Sequence, residues 1–212
     1  GQWRGCLDCR PVNESLEYQH FKMEGLHTIR DLLSRDDWLT SIDLSDAYAH
    51  LSIHPQSRQY LRFVWNGLHY QFDALPFGLG PAPRIFTKLL RPVLARIRAR
   101  GVRVVAYLDD LCILTRGSRE RSVLHTQIVV DELVRAGFLC HPTKSEVTPS
   151  RTREFLGLTI DSHRLLLRVP PEKVKATTRA IRQTIAASQS GSLTIRGLAG
   201  LIGKLQALGP AV

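Results

Sequence analysis

The chain has 212 residues, 43% of them hydrophobic, which suits one compact domain with a small appendage. Its 29 Lys and Arg against 19 Asp and Glu leave a formal net charge of +10, which favours nucleic acid as partner over an anionic membrane surface. The four scattered cysteines, the lack of an apolar run of about 18 residues and the lack of a signal-peptide pattern argue against secreted and membrane-spanning classes. We therefore expect an intracellular protein, cytoplasmic or nuclear, and the start at Gly1 indicates an excerpt of a longer chain.

The first elements lead to an aspartate at a strand end. Residues 3–13 are expected to be extended, and residues 28–39 fit a short amphipathic helix capped by Thr28. Alternating apolar residues from Leu39 predict a strand that ends at Asp43, whose carboxylate would project from the mouth of a sheet. On this pattern alone, an Asp that caps the following turn is an equally good interpretation.

A hairpin, a loop and a helix follow. Two strand-like runs within residues 60–74 flank an Asn-Gly dipeptide, the strongest short-range hairpin signal. The Gly/Pro-rich segment 75–83 permits close approach of a ligand or of another strand. Residues 84–100 predict an amphipathic helix with a kink at Pro92.

The charge of this region is one-sided, since no acidic residue lies between Ala74 and Leu108. A solvated face usually mixes signs, so unopposed cations favour contact with phosphate, and we assign nucleic-acid contact to Arg84, Lys88 and Arg91. The cations of this stretch are Arg84, Lys88, Arg91, Arg96, Arg98, Arg100 and Arg103.

The segment Tyr107-Leu108-Asp109-Asp110 lies between two apolar strand signals and predicts a hairpin tip with adjacent carboxylates. Like charges in a half-buried place repel unless a cation, most simply a divalent metal, lies against them. A solvated polar turn explains the dipeptide as well. The metal hypothesis therefore needs a further carboxylate, for which Asp43 is the candidate.

The rest of the chain predicts a helix, a hairpin and a separate helical subdomain. These are a helix over residues 118–136, a polar turn at 143–145, a strand over 155–160 paired with 165–169, and two helices joined by a Ser/Gly linker at 188–192.

Five motifs in this order and spacing resemble the palm of a reverse transcriptase. They are Asp43-x-x-x-x-Tyr48, Leu75-Pro-Phe-Gly78, Tyr107-Leu-Asp-Asp110, Lys144 and Phe155-Leu-Gly157. Each motif alone is weak, whereas all five in register are specific. The Leu-Pro-Phe-Gly form resembles retrotransposon enzymes more than retroviral ones, and the tail from Leu193 is most similar to DIRS-like, tyrosine-recombinase elements.

The resemblance implies an α+β right-hand polymerase fold and the function of an RNA-directed DNA polymerase, a nucleotidyltransferase. Its parts would be partial fingers at 1–41, palm at 42–57 and 76–168, a fingers hairpin at 58–75 and the start of a helical thumb at 169–212. The implied partners are an RNA template, a DNA primer or hybrid duplex, and deoxynucleoside triphosphates. RNase H and recombinase or integrase modules would lie elsewhere in the parent polyprotein.

The resemblance also implies a metal site. Asp43, Asp109 and Asp110 would hold two Mg²⁺ ions, for which Mn²⁺ can substitute, with the Leu44 carbonyl as an extra ligand. Two cations would activate the primer 3′-hydroxyl and neutralise the leaving pyrophosphate, and oxygen ligands suit Mg²⁺. Lys144 would be the general acid that protonates pyrophosphate.

Further roles carried over from the family concern the nucleotide and the primer. Arg4 would close on the incoming triphosphate, whose phosphates would meet the amides of Asp46 and Ala47. Tyr48 would lie under the sugar and exclude a 2′-hydroxyl. Phe77 and Gly78 would flank the nascent base pair, and the primer grip would be Phe155, Leu156, Gly157 and Leu158.

Two other functions remain open. An RNA-directed RNA polymerase would share the palm, although Tyr48 argues against it. A catalytically degenerate remnant would still bind nucleic acid, although Asp43, Asp109 and Asp110 are all intact.

Overall fold

A four-stranded antiparallel sheet organises the computed structural model, which describes residues 7–209. The strands are β1 (Trp38–Asp43), β2 (Arg62–Trp65), β3 (Leu68–Gln71), β4 (Arg103–Tyr107), β5 (Asp110–Thr115), β6 (Glu146–Ser150), β7 (Thr152–Phe155), β8 (Leu158–Asp161) and β9 (Leu166–Arg168). The α-helices are α1 (Arg10–Glu14), α2 (Leu26–Leu32), α3 (Ala82–Ala99), α4 (Arg119–Arg135), α5 (Pro171–Gln189) and α6 (Ile195–Gln206). The main sheet has the order β4-β5-β1-β6, and β2-β3 and β7-β8-β9 form two smaller sheets.

Alternation along the central strands buries both faces of the main sheet. In β5, Leu111 and Ile113 point to one face and pack with residues of α3 and α4, such as Phe86. Cys112 and Leu114 point to the other face and pack with Ile29 of α2 and with residues of β7 and β8. Because alternate side chains of β5 are buried on opposite faces, its sequence is an uninterrupted apolar run. The antiparallel sheets packed with helices confirm the predicted α+β class.

The predicted hairpins and long helices are confirmed. Asn66 and Gly67 both have positive φ, at 49° and 75°, as a two-residue turn that matches the twist of β2 and β3 requires. The α3 helix runs through Pro92. The Ser118 hydroxyl caps α4 by accepting from the Arg121 amide.

Three predictions of local structure are wrong. The expected extended segment at 3–13 contains α1, which has a proline in its first turn. The helix expected over 28–39 ends at Leu32, because the sequence then turns and enters β1 at Trp38, and Thr28 lies inside the helix rather than at its cap. The strand expected over 155–160 is divided into β7 and β8 by a tight turn at 156–157.

Most of the cations between Ala74 and Leu108 have counter-charges, which corrects the expectation drawn from their run in sequence. The carboxylates come from distant segments: the buried Glu132 of α4 accepts from Arg96 at 3.1 Å and from Arg100 at 3.5 Å. Arg98 pairs with Glu24 at 2.7 Å, and Arg103 pairs with Asp37 at 2.6 Å. In the described part of the chain, the cations of this stretch without an ion pair are Arg84, Lys88 and Arg91.

The predicted C-terminal pair of helices is confirmed. Helices α5 and α6 contact each other, and neither contains a buried residue within the described chain. Among residues 7–209, none of the helices has both the length and the apolar character needed to cross a lipid bilayer.

Candidate active site

Two strand ends bring the predicted carboxylates to one edge of the main sheet. Asp43 is the last residue of β1 and lies directly opposite Asp110, the first residue of β5. Asp109 occupies the two-residue turn between β4 and β5, beside Leu108 with its φ of 53°. The Leu44 amide donates to the Asp109 carbonyl at 2.8 Å, which ties this turn to the end of β1. The hairpin predicted at 107–110 is therefore confirmed, and the three acids are neighbours.

Negative charge accumulates at this edge. The pKa of Asp110 is raised to about 6, chiefly by partial burial and then by the negative charges of Asp109 and Asp43. Lys144 opposes this shift, and its Nζ lies 4.0 Å from Oδ1 of Asp43. One lysine, itself more than half exposed, does not neutralise three carboxylates, so the edge attracts further cations.

The polar turn that contains Lys144 is fastened to the end of β1 by residues that the sequence did not single out. The Asp43 amide donates to the Ser145 hydroxyl at 3.1 Å, and the His141 amide donates to the Asp43 carbonyl at 2.7 Å. Isolated Ser and His residues carry no sequence signal for such contacts.

Tyr48 stands next to the acids on a short 3₁₀ helix, Ala47–His50. Asp46 precedes this helix in a left-handed conformation with φ of 46°. The Tyr48 ring lies 5.3 Å from the ring of Phe77 and 6.0 Å from the ring of Phe86. Partial burial, and then the charge of Asp109, raises the pKa of Tyr48. The structure thus brings Tyr48, Phe77 and the acidic edge together.

The turn between β7 and β8 faces the same acids. Leu156 and Gly157 have positive φ, 49° and 74°, which reverses the chain within two residues. A cleft is lined by this turn together with Asp43, Asp110 and Lys144. Residues 155–157 therefore line the same cleft as the carboxylates, with a turn at 156–157 in place of the continuous strand expected over 155–160, whereas Leu158 is buried.

Of the remaining predicted residues, Arg4 lies outside the part of the chain that the structure describes. Arg84, Lys88 and Arg91 lie on α3, and none of them lines the cleft beside Asp43 and Asp110.

The chemistry of the donors at this edge fits Mg²⁺. Among residues 7–209 no three Asp, Glu, His or Cys side chains already converge as a metal cage. Mg²⁺ does not require such a cage, because it binds through one or two carboxylates together with waters and substrate phosphates. Burial first, and then the charges of Asp109 and Asp43, raise the pKa of Asp110, and a divalent cation against these carboxylates would stabilise their ionised form.

An antiparallel sheet that presents aspartates from two adjacent strands, with the long helices α3 and α4 packed on one face and an aromatic residue beside the acids, has the architecture of the palm of a right-hand polymerase. The family described as "Reverse transcriptase (RNA-dependent DNA polymerase)" matches residues 1–160, and the chain belongs to this family.

Two relatives and one solved structure illustrate the similarity. The chain is 26% identical over 161 residues to an enzymatic polyprotein of Cestrum yellow leaf curling virus, covering 76% of this chain and 24% of the relative. It is 28% identical over 170 residues to the retrovirus-related Pol polyprotein from transposon gypsy of Drosophila melanogaster, covering 80% of this chain and 16% of the relative. A foamy viral protease-reverse transcriptase solved with double-stranded DNA superposes with a TM-score of 0.77 at 21% identity, covering 98% of this chain and 34% of that chain.

These comparisons settle the family and the fold. The chain spans about a quarter or less of the length of the curated relatives it matches. The family is shared by viral and retrotransposon polyproteins, and the narrower DIRS-like assignment stays a prediction.

Proposed function

We propose that this chain is the polymerase portion of an RNA-directed DNA polymerase of a retroelement, which adds deoxynucleotides to a primer 3′-hydroxyl. The observation that carries the proposal is the pairing of Asp43 with Asp110 across β1 and β5, with Asp109 in the adjoining turn. Among the described residues, Lys144 is the cation within ion-pair distance of these carboxylates, whereas the buried Asp37 at the other end of the sheet has Arg103 as a close partner.

In this proposal Asp43, Asp109 and Asp110 hold two Mg²⁺ ions, with the Leu44 carbonyl as a further oxygen ligand. Bound metal supplies activation of the attacking hydroxyl and neutralisation of the leaving phosphates. The protein fixes the carboxylates through the β1–β5 register and through the hydrogen bond from the Leu44 amide to the Asp109 carbonyl. Divalent-metal dependence is general for this family, whereas the number of ions and the ligands are part of the proposal.

The residues beside the acids then select the nucleotide. The amides of Asp46 and Ala47 bind its phosphates, and Tyr48 packs under the sugar, where its ring excludes a 2′-hydroxyl. Phe77 and Gly78 flank the base pair, and Arg4 reaches the triphosphate. The contact between the Tyr48 and Phe77 rings supports a single continuous pocket wall.

The primer and the departing pyrophosphate use the other side of the acids. Phe155 to Leu158 grip the primer across the cleft, and Lys144 protonates pyrophosphate. The position of the Lys144 ammonium, 4.0 Å from Asp43, supports this role because the proton donor must lie near the reacting phosphates.

The palm in this proposal comprises residues 42–57 and 76–168, with fingers at 1–41 and 58–75 and a thumb from 169. The lack of buried residues in α5 and α6 supports a helical unit that contacts a partner other than the palm core. Nucleic acid is that partner, because the chain carries a charge of +10 and the foamy viral neighbours were solved with double-stranded DNA and with RNA/DNA hybrid.

The experiment that tests the proposal is extension of a labelled DNA primer on an RNA template with Mg²⁺, with deoxynucleotides and ribonucleotides in separate reactions and a chelator control. We expect metal-dependent incorporation of deoxynucleotides. Preferential use of ribonucleotides would instead identify an RNA polymerase. Salt-sensitive hybrid binding without any extension, if it persists when the upstream residues of the parent chain are restored, would identify a degenerate binding remnant.

A further inference from the structure

Asn13, near the end of the short helix α1, forms hydrogen bonds to a distant loop through both the nitrogen and the oxygen of its side-chain amide. Its Nδ2 donates to the Gly78 carbonyl at 2.9 Å, and its Oδ1 accepts from the Gly80 amide at 2.7 Å. Only one orientation of the amide group satisfies a donor and an acceptor at once, so the pair of bonds also fixes the side chain.

The loop needs such a partner, because residues 75–80 connect β3 to α3 without belonging to a sheet ladder or a helix. Gly78 has a φ of +91°, a backbone conformation that residues with a Cβ rarely adopt, so a glycine suits this position in the loop. A Cβ at Gly80 would lie 3.2 Å from Asn13 Oδ1, so a glycine there allows the close approach. The Cys9 thiol, at the start of α1, also lies 3.9 Å from the Phe77 carbonyl.

The same loop carries Phe77, whose ring lies 5.3 Å from the ring of Tyr48. The two bonds from Asn13 begin one residue after Phe77 and end three residues after it. A shift of the loop backbone therefore moves the Phe77 ring relative to Tyr48, and with it the wall of the pocket beside the acids.

We propose that Asn13 is a positioning residue for nucleotide selection, acting through the backbone of Gly78 and Gly80 on the Phe77–Tyr48 wall. This inference rests on the proposed polymerase function. Asn13 does not touch the nucleotide itself, so its loss should weaken nucleotide binding and sugar discrimination more than it slows the chemical step.

Three variants separate this role from a general contribution to folding. Asn13→Ala removes both bonds, and Asn13→Asp keeps the acceptor for Gly80 while it loses the donor to Gly78. Ser15→Ala is the matched control, since Ser15 adjoins the same helix end and its hydroxyl bonds to the Pro11 carbonyl rather than to the loop. Thermal melting and primer-template affinity, measured on each variant, identify any protein that has not folded.

The readouts are KM and kcat for deoxynucleotide incorporation, the preference for deoxy- over ribonucleotides, and amide hydrogen exchange at Gly80. For Asn13→Ala we expect a KM about tenfold higher with kcat changed less than about threefold, a weaker sugar preference and faster exchange. In Asn13→Asp the exchange at Gly80 should stay slow while KM still rises, and Ser15→Ala should match the wild type.

Each other outcome decides against the inference. Unchanged KM and sugar preference in a folded Asn13→Ala protein would overturn the positioning role, even if Gly80 exchange becomes faster. An equal loss in Ser15→Ala would assign the effect to α1 as a whole. A wild-type protein that does not extend a primer even with the upstream residues of the parent chain restored would overturn the proposed function itself, whereas an active wild type matched by both Asn13 variants would overturn this inference alone.

Discussion

The two ends of the main sheet differ in the partners that they provide for their aspartates. At the end where β1 and β4 begin, Asp37 is fully buried, and both its carboxylate oxygens accept from Arg103, at 2.6 and 2.9 Å. The Ser34 amide adds a third hydrogen bond to this carboxylate at 2.7 Å. The buried carboxylate of Asp37 thus has its counter-charge and its hydrogen bonds inside the fold, which is the usual requirement for burying an ion.

At the other end, where β1 ends at Asp43 and β5 begins at Asp110, three carboxylates share one exposed lysine. The pKa of Asp110 is raised there by burial and by its acidic neighbours. The contrast between the fully partnered Asp37 and these three acids indicates that the acids at this edge do not serve the stability of the isolated chain. We propose that their arrangement serves a cation that arrives with the substrate.

The largest expected effect is on nucleotide incorporation at the end of the sheet that carries Asp43, Asp109 and Asp110. Asp109→Asn should lower deoxynucleotide incorporation by at least about a thousandfold, because the amide is a poor metal ligand. Binding to an RNA/DNA hybrid should remain, with its salt dependence, since Asp109 contributes no positive charge to it. Extension assays and filter binding on the same preparation test both statements, and extension equal to that of the wild type would refute the metal assignment.

A second prediction concerns Tyr48, which lies beside these three acids, and its effect on the choice between deoxynucleotides and ribonucleotides. Tyr48→Ala should raise the use of ribonucleotides relative to deoxynucleotides by about tenfold or more, because the ring no longer excludes the 2′-hydroxyl. Competition between the two nucleotide types on one template measures this ratio. Phe63→Ala, an aromatic residue of the exposed β2–β3 hairpin, is the control and should leave the ratio unchanged. Sugar selectivity that survives Tyr48→Ala would reject Tyr48 as the discriminating residue.

The pH dependence of stability gives a smaller effect. The folded-state pKa of Asp110, about 6, lies above the ordinary value of 3.8, so the folded chain holds this proton more tightly than the unfolded chain. The associated stability is complete below about pH 4 and is lost as the pH rises through 6. In metal-free buffer, Asp110→Asn should therefore raise the unfolding free energy by about 1 kcal/mol at pH 8, after allowance for solvent screening, and by little at pH 4. Denaturant titrations at both pH values measure this difference. An equal effect at both pH values would show that the pKa of Asp110 is not raised in the folded chain.

The smallest effect extends the comparison to the cations of α3. Lys88 has no ion pair among the described residues, whereas Arg100 pairs with Glu132 at 3.5 Å. Lys88→Gln should reduce the slope of log affinity against log salt for a hybrid duplex by about one, and Arg100→Gln should change it less. A reversed order would place the nucleic acid on the other side of the helix.

Local sequence signals predicted much of the fold and the position of the acids. The Asn-Gly turn, the apolar runs around Tyr107–Asp110 and the strand ending at Asp43 each depend on a few consecutive residues, so their patterns can be read directly. The three acids were expected to meet, and the antiparallel register of β1 and β5 places two of them opposite each other.

Features that depend on distant residues could not be predicted in this way. The run of cations between Ala74 and Leu108 has no acidic neighbour in sequence, because the carboxylates that pair with it, those of Glu132, Glu24 and Asp37, come from other segments. The turn at Leu156 is hidden because leucine rarely adopts a positive φ, and the surrounding fold imposes it here. Asn13 gave no signal, since its two partners lie 65 and 67 residues away.

The central claim is that one end of the sheet is built for stability and the other for chemistry, and one measurement tests it most directly. The unfolding free energies of Asp37→Asn and Asp109→Asn are compared with the wild type at pH 7 without divalent metal, with Asp31→Asn, from an exposed ion pair, as the control. We predict a loss of about 3 kcal/mol for Asp37→Asn, which leaves Arg103 without its partner, and a change within about 0.5 kcal/mol for Asp109→Asn and Asp31→Asn. A comparable loss of stability in Asp109→Asn would contradict the account, because it would make the carboxylate at the turn a structural element of the fold.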